Sequence, residues 1–311
     1  MNTKVYAKKP KKKNQGFKLF LGTVPFLVLY FLFSYLPLEG WRYAFYNYKP
    51  GYKLSDCEFV GLKHFTNMFA NPVMRRETFR VLRNTMAMSL LGVASSWMSM
   101  FFAIFLNEIK NIKYKKFVQT VTTIPNFISW VIVYSLATAL FATESGVVNT
   151  ILKDAGIIER GNNILASDDH VWLTMLLLDK WKGLGWMAVI YLSGISSIDQ
   201  ELYEAAAVDG AGRFQKIRHV TIAGLMPTYV TTLIMSIGYF LSNGMGQYYV
   251  FQNSFNKSKI EVLDLYVYNL GIGNNNISLS TAVGMWKCVV SLILLFIANG
   301  ISGKVRESKI F

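Results

Sequence analysis

Residues 197–220 gather side chains suited to acting on a partner protein. Glu201, Glu204 and Asp209 supply carboxylates, Ala205, Ala206 and Ala207 leave a smooth surface between them, and Arg213, Lys216 and Arg218 follow. The alanines favour a helix, Ser197 followed three residues later by Gln200 reads as a capping box, and Gly210 reads as the C-terminal stop. The chemistry on offer is docking through charge and close approach, with no bond made or broken. On pattern alone, an ordinary amphipathic loop fits these residues equally well. A second set of polar groups, Asp179, Lys180, Lys182 and Lys287, interrupts otherwise apolar runs. Charges inside a membrane are costly and usually face a bundle interior, though long basic side chains near span ends also snorkel to the headgroups, and an Asp179 pair with Lys182 or Lys287 would merely steer packing. Covalent and metal chemistry find no support. There is no Gly-x-x-x-x-Gly-Lys-Ser/Thr segment, no nucleophile elbow and no pair of mid-span acids, while His64, His170 and His219 lie in separate loops. Cys57 and Cys288 have no metal-ligand company and are read as inert thiols.

The elements that must position these groups follow from composition. Of 311 residues, 52% are hydrophobic and only 16% charged, against about a quarter charged in a soluble domain. Each crossing of a hydrocarbon core takes about 20 apolar residues. Apolar runs at 19–36, 85–106, 117–141, 171–198, 223–242 and 281–302 predict an all-α membrane protein with six transmembrane helices and both termini on one side. The net charge of +14 sorts with these runs, which argues against a nucleic-acid partner. Seven lysines precede the first run (Lys4, Lys8, Lys9, Lys11, Lys12, Lys13 and Lys18), Lys110, Lys113, Lys115 and Lys116 follow the second, and Lys304, Arg306 and Lys309 follow the last. The positive-inside rule therefore places both termini in the cytoplasm of a bacterial cell, with the multi-pass chain in its cytoplasmic (inner) membrane. The first run is long and lacks a cleavage site, so it is read as a retained span. The chain divides into a basic tail at 1–18, a membrane domain at 19–302 and a C-terminal tail at 303–311. One stretch dissents. Arg75, Arg76, Arg80 and Arg83 fall on the outside, within the outer loop 38–83, and are assigned to an interfacial helix lying along the headgroups.

The loop has a further property. Glu204-Ala205-Ala206, three residues and then Gly210, continuing through Asp209-Gly210-Ala211, Phe214, Val220-Thr221-Ile222 and Pro227, resembles the EAA loop of integral-membrane permease subunits of binding-protein-dependent ABC importers. It departs from that pattern at Ala223, where the family usually has proline. Asn84-Thr85, Pro125 through Trp130, Trp181 through Trp186, Tyr191-Leu192 and Ile310-Phe311 resemble the carbohydrate-uptake branch, and within it the permeases for polysaccharide-derived oligosaccharides. The resemblance implies the type I ABC importer permease fold and a coupling loop at 197–222, in which Glu201, Glu204, Ala205, Ala206, Asp209, Gly210, Ala211 and Phe214 meet an ATPase. It implies as partners a second permease subunit, usually a different paralogue, two ATPase subunits, an extracellular solute-binding lipoprotein, the oligosaccharide and membrane lipids. This chain would bind no cofactor, with ATP and Mg held by the ATPase subunits.

Sugars present apolar C–H faces that stack on rings, and hydroxyls that seek amides. On the spans that line the channel in that family, Trp181, Trp186, Tyr191, Tyr239, Asn243, Gln247 and Trp286 supply both kinds of group, with Lys182 and Lys287 beside them. The interfacial aromatic belt explains Trp181 and Trp286 equally well, whereas Asn243 and Gln247 do not fit a belt. Pro125 is expected to kink the third span and serve as part of a gate. Three other readings stand beside the leading one: a permease of the same superfamily for a polyol, glycerol phosphate or peptide, an ion-coupled secondary transporter, and a membrane enzyme.

Overall fold

The computed structural model describes residues 15–306, so the six lysines at positions 4–13, Lys309 and the Ile310-Phe311 pair lie outside the described residues. Helix α1 (Gln15–Tyr30) continues through a π turn (Phe31–Tyr35) into a 3-10 stretch (Leu36–Phe45), and a short outer helix, α2 (Lys63–Ala70), follows. Next come α3 (Pro72–Ala94), α4 (Trp97–Asn107), α5 (Ile112–Thr123), α6 (Trp130–Phe141) and α7 (Val147–Asp154). The long α8 (Val171–Ser196) leads into α9 (Gln200–Val208), α10 (Arg213–Lys216) and α11 (Ile222–Gly238). Short helices α12 (Gly246–Phe251), α13 (Lys257–Ile260) and α14 (Leu263–Tyr268) precede the closing α15 (Ile277–Arg306). Among the described residues the only β contact is an isolated bridge between Tyr46 and Phe59.

Among the described residues, four helical stretches are long and apolar enough to cross a membrane: Gly16–Phe45, Pro72–Asn107, Arg213–Gly238 and Ile277–Gly300. A fifth arises if Ile112–Phe127 and Trp130–Phe141, bent by 107° at their junction, form one broken span. Helix α8 has a span's length, but every 18-residue window of it contains Asp179, Lys180 and Lys182, so it fails on charge. The Pro125 region is therefore a break, a stronger departure than the kink expected.

Lipid is as apolar as leucine, so these helices associate by close packing and interhelical hydrogen bonds. Helix α8 is the hub, touching α4, α5 and α11. Met100, Ala103 and Ile104 of α4 close against Ala188, Tyr191 and Ile195 of α8 and Leu225 of α11. A second cluster joins Val133 and Ala137 of α6 to Val171 and Met175 of α8 and to Tyr248 and Phe251 of α12. A third sets Met68 and Val81 against Leu263, Leu279 and Val283. Large apolar side chains such as Phe26, Phe33, Phe105 and Phe296 remain exposed, as expected where the solvent is lipid.

The outer basic stretch differs from expectation. No separate interfacial helix carries it. Asn71 caps α3, its Oδ1 accepting from the backbone N–H of Val73 (2.9 Å) and Met74 (3.2 Å), and the helix runs unbroken through Thr85, where the second span was expected to begin. Arg80 meets Glu77 (2.6 Å) and Glu261 (2.5 Å) and donates to the Lys257 carbonyl (3.0 Å). Arg83 donates to Asn84 Oδ1 (3.1 Å) and the Ser258 carbonyl (3.3 Å), and lies 5.8 Å from the Trp172 ring. These two arginines staple α3 to α13, and only Arg75 and Arg76 are left free to face water or headgroups.

Candidate functional site

The acidic, alanine-rich segment forms α9. Its N-cap is Asp199, whose Oδ1 accepts from the Glu201 backbone N–H at 3.0 Å. The expected Ser197 box does not form, because the Ser197 hydroxyl instead donates to the Gly194 carbonyl (2.7 Å) at the end of α8. At the other end, Gly210 has a φ of +76°, and two bonds close the helix: Gly210 N–H to the Ala207 carbonyl (3.1 Å) and Ala211 N–H to the Ala206 carbonyl (2.8 Å). That is a Schellman motif, which needs a residue tolerant of the left-handed region at Gly210. No residue of α9 is buried. Glu201, Glu204 and Asp209 stand exposed beside Leu202, Val208 (88% exposed) and Phe214 (82% exposed), so the helix offers carboxylates ringed by apolar side chains.

Two contacts that the sequence reading missed brace this helix and the one after it. Tyr203 Oη and Thr221 Oγ1 share a hydrogen bond at 2.9 Å. Arg213 forms an ion pair with Glu108, the residue capping α4, and donates from Nη2 to its carbonyl at 3.0 Å. The exposed helix is thus tied to the entry of α11, and α10, which follows it, to the end of α4. In the sequence Glu108 stood among basic residues with nothing to mark its partner.

A cavity of about 490 Å³ opens between α3, α8, α11 and the 239–248 turn. Tyr239, Asn243 and Gln247 line it. Asn243 accepts from Ser89 Oγ (3.0 Å) and donates to the Thr85 carbonyl (3.1 Å), while Gln247 donates to the Met175 carbonyl (2.7 Å). Ser89, Thr232 and Ser236 add hydroxyls that the sequence did not single out, and Asp179 and Lys180, 3.9 Å apart, are its charged lining.

The remaining expected residues lie elsewhere. Tyr191 is 2% exposed in the α4–α8–α11 core, its hydroxyl bonded to Thr232 Oγ1 at 2.9 Å, because its ring fills the helix interface. Trp181 borders a separate apolar groove between α6 and α8, with Leu140 and Leu177. Trp186 stands edge-on to Phe127, with ring centroids 5.6 Å apart. Trp286 tilts against Phe69 at 6.0 Å. Lys287 is ion-paired with Asp264, each side chain 17% exposed, and neither lines the cavity. Lys182 serves the third-span break. Where Pro125 ends the helical ladder, Lys182 Nζ donates to the Asn126 carbonyl at 2.7 Å and sits 5.4 Å from the Trp130 ring centroid. Gly185 completes this contact, because a Cβ there would collide with the Thr122 backbone on α5.

Among the described residues no cluster of His, Cys, Asp or Glu could hold a metal ion. A helical assembly with apolar outer faces, a cavity of mixed polar and apolar lining, and an exposed capped helix is the form of a membrane-embedded helical protein. The chain belongs to the family described as binding-protein-dependent transport system inner membrane component, which matches residues 95–307. It is 36% identical over 296 residues to Protein LplB of Bacillus subtilis (strain 168), covering 94% of this chain and 91% of that one. It is also 36% identical over 314 residues to the polygalacturonan/rhamnogalacturonan transport system permease protein YteP of the same organism, covering 99% and 96%. A solved bacterial ABC transporter involved in import of the acidic polysaccharide alginate contains a chain that superposes with a TM-score of 0.83 at 28% identity, covering 95% of this chain and 98% of that one. The protein is thus a multi-pass inner-membrane permease subunit with the type I ABC importer fold. It works with a solute-binding protein and is not an enzyme.

Proposed function

We propose that this chain is one channel-forming half of an ATP-driven importer for oligosaccharides delivered by an extracellular solute-binding lipoprotein. The observation that carries the substrate class is the likeness to a polygalacturonan/rhamnogalacturonan permease and to an alginate importer. The cavity, lined by Tyr239, Ser236 and Ser242 with Met88, Met187 and Phe240, offers rings, hydroxyls and apolar faces to a sugar. A phosphate ester would want several free cations there. Lys182 and Lys287 are already engaged with Asn126 and Asp264, which leaves Lys180 beside Asp179. The relative YteP serves polygalacturonan and rhamnogalacturonan transport, and the superposed transporter imports alginate, so an oligosaccharide is the substrate class, with neutral and uronate-containing chains compared in the test below.

In this reading α8 and the broken α5–α6 pair each cross the membrane, giving six spans with both termini in the cytoplasm. α9 docks in a groove of an ATPase subunit, Glu201, Glu204 and Asp209 meet its basic side chains, and Phe214 adds an apolar contact. ATP and Mg stay on the two ATPase subunits, and a second permease subunit completes the channel. Nucleotide biases one of two states, and the bracing of α9 on α11 and of α10 on α4 passes that bias to the spans. Supporting this division is the helix itself: without a buried residue, capped at both ends and tied to the entry of α11 through Tyr203.

The test is uptake by the reconstituted importer, using proteoliposomes with the lipoprotein outside, ATP inside and a panel of neutral and uronate oligosaccharides. Uptake should require ATP and survive collapse of ion gradients. Uptake that stops with the gradients, or that no oligosaccharide competes for, would refute the reading.

A further inference from the structure

The Asp264 carboxylate joins three elements. One oxygen is ion-paired with Lys287 of α15. The other accepts the backbone N–H of Gly244 at 2.8 Å. Gly244 sits in the turn between α11 and α12, flanked by Asn243 and Gln247 of the cavity wall. On its far side the same turn is held by Ser89, which bonds both the Phe240 carbonyl and Asn243, and by the Asn243 bond to the Thr85 carbonyl. The turn is therefore clamped between α3 on one side and the Asp264–Lys287 pair on the other.

A buried carboxylate without its cation is strongly disfavoured and turns toward water. Removing Lys287 would thus release the Gly244 bond even though Lys287 never touches the turn. We propose that Lys287 and Asp264 form a clasp whose job is to hold the 239–247 turn, and with it Asn243 and Gln247, in place as the wall of the transport cavity. Both are positioning residues, acting through Gly244. The functional half of this inference rests on the cavity being the substrate pathway. The clasp itself does not.

The test uses the assembled importer in lipid nanodiscs, with Ser242→Cys as reporter on the cavity wall, Cys288→Ser, and native Cys57 in the outer loop as internal reference. The probe is a charged, water-soluble methanethiosulfonate, with labelling followed peptide by peptide. Lys287→Met should raise the labelling rate at position 242 on the order of tenfold, the scale of one lost charge-assisted hydrogen bond. Cys57 should keep its rate, and Lys287→Arg should stay near the parent. The double exchange Asp264→Lys with Lys287→Asp keeps an ion pair but removes the acceptor for Gly244, so labelling should stay fast. Restoration by that exchange would overturn the route through Gly244. An unchanged rate in Lys287→Met, or an equal rise at Cys57, would overturn the clasp. If Lys287→Met does not assemble, the near-isosteric Asp264→Asn carries the measurement with a smaller expected rise, and failure of that variant to assemble would assign the pair to folding and overturn the proposal. Faster labelling with unaltered oligosaccharide uptake would leave the clasp standing and remove the cavity from the pathway.

Discussion

Replacing Gly210 with alanine isolates a backbone effect. Gly210 has a φ of +76°, and a Cβ built there meets nothing within 4 Å, so the added methyl clashes with no neighbour. What it costs is conformational: an L-residue held in the left-handed region loses about 1–2 kcal/mol, roughly a five- to thirtyfold drop in the population of the closed cap. Because no residue of α9 is buried, the cap can open locally without unfolding the bundle, so the thermal stability of the purified permease should stay within a degree or two of the parent. The loss should instead appear where α9 acts, as binding-protein-stimulated ATP hydrolysis by the reconstituted importer. Gly210→Asn, which tolerates positive φ better, should retain an intermediate stimulation. Gly210→Trp should be at least as defective as alanine and should co-purify with less ATPase. The reasoning fails if alanine and asparagine give equal stimulation, or if Gly210→Trp keeps normal ATPase stoichiometry and transport.

Three other substitutions follow from the packing. Gly185→Ala drives a methyl into the Thr122 backbone, so α5 and α8 must separate at a cost of about 1–3 kcal/mol, read as a lowered unfolding temperature in detergent. Lys182→Met leaves the Asn126 carbonyl without its donor at the span break, a loss of about 1–3 kcal/mol, and Lys182→Arg should recover much of it in the same melt. Glu261→Ala removes one of the two carboxylates paired with Arg80, which keeps Glu77, and frees Asn269 Nδ2, which donates to Glu261 Oε1 at 2.6 Å. Because the Glu261 side chain is 2% exposed, the lost charged hydrogen bonds should cost about 1–3 kcal/mol, read as a lower melting temperature.

Helix α9 was largely legible because its determinants are local. Asp199, the alanines and Gly210 fix start, body and stop within a dozen residues, and only the choice of cap was misjudged, since Ser197 found a nearer acceptor on α8. The outer arginines were not legible, because Arg80 finds Glu261 across 181 positions and no periodicity announces such a pairing. The cavity was half legible. Asn243 and Gln247 stand out as amides where an apolar run ends, but Trp, Tyr and Lys near span ends serve packing, belts and helix breaks as readily as a pathway. Tyr191, Trp286 and Lys182 took those other roles. Helix α8 has a span's length, and its three charged residues are accommodated by the break, by the cavity and by one another.

The 107° bend between α5 and α6 bears on how the chain enters the membrane. In hydrocarbon each unpaired peptide group costs several kcal/mol, so the turn at Pro125–Phe127 cannot rest against lipid alone. Its donor, Lys182, and the close approach at Gly185 both belong to α8, which leaves the ribosome later. We therefore expect α5 and α6 to be held at the insertion machinery, or to sit shallow, until α8 arrives, so that the three helices partition as one unit. A chain truncated before Val171 should leave the break accessible to water-soluble reagents, whereas one ending after Ser196 should not.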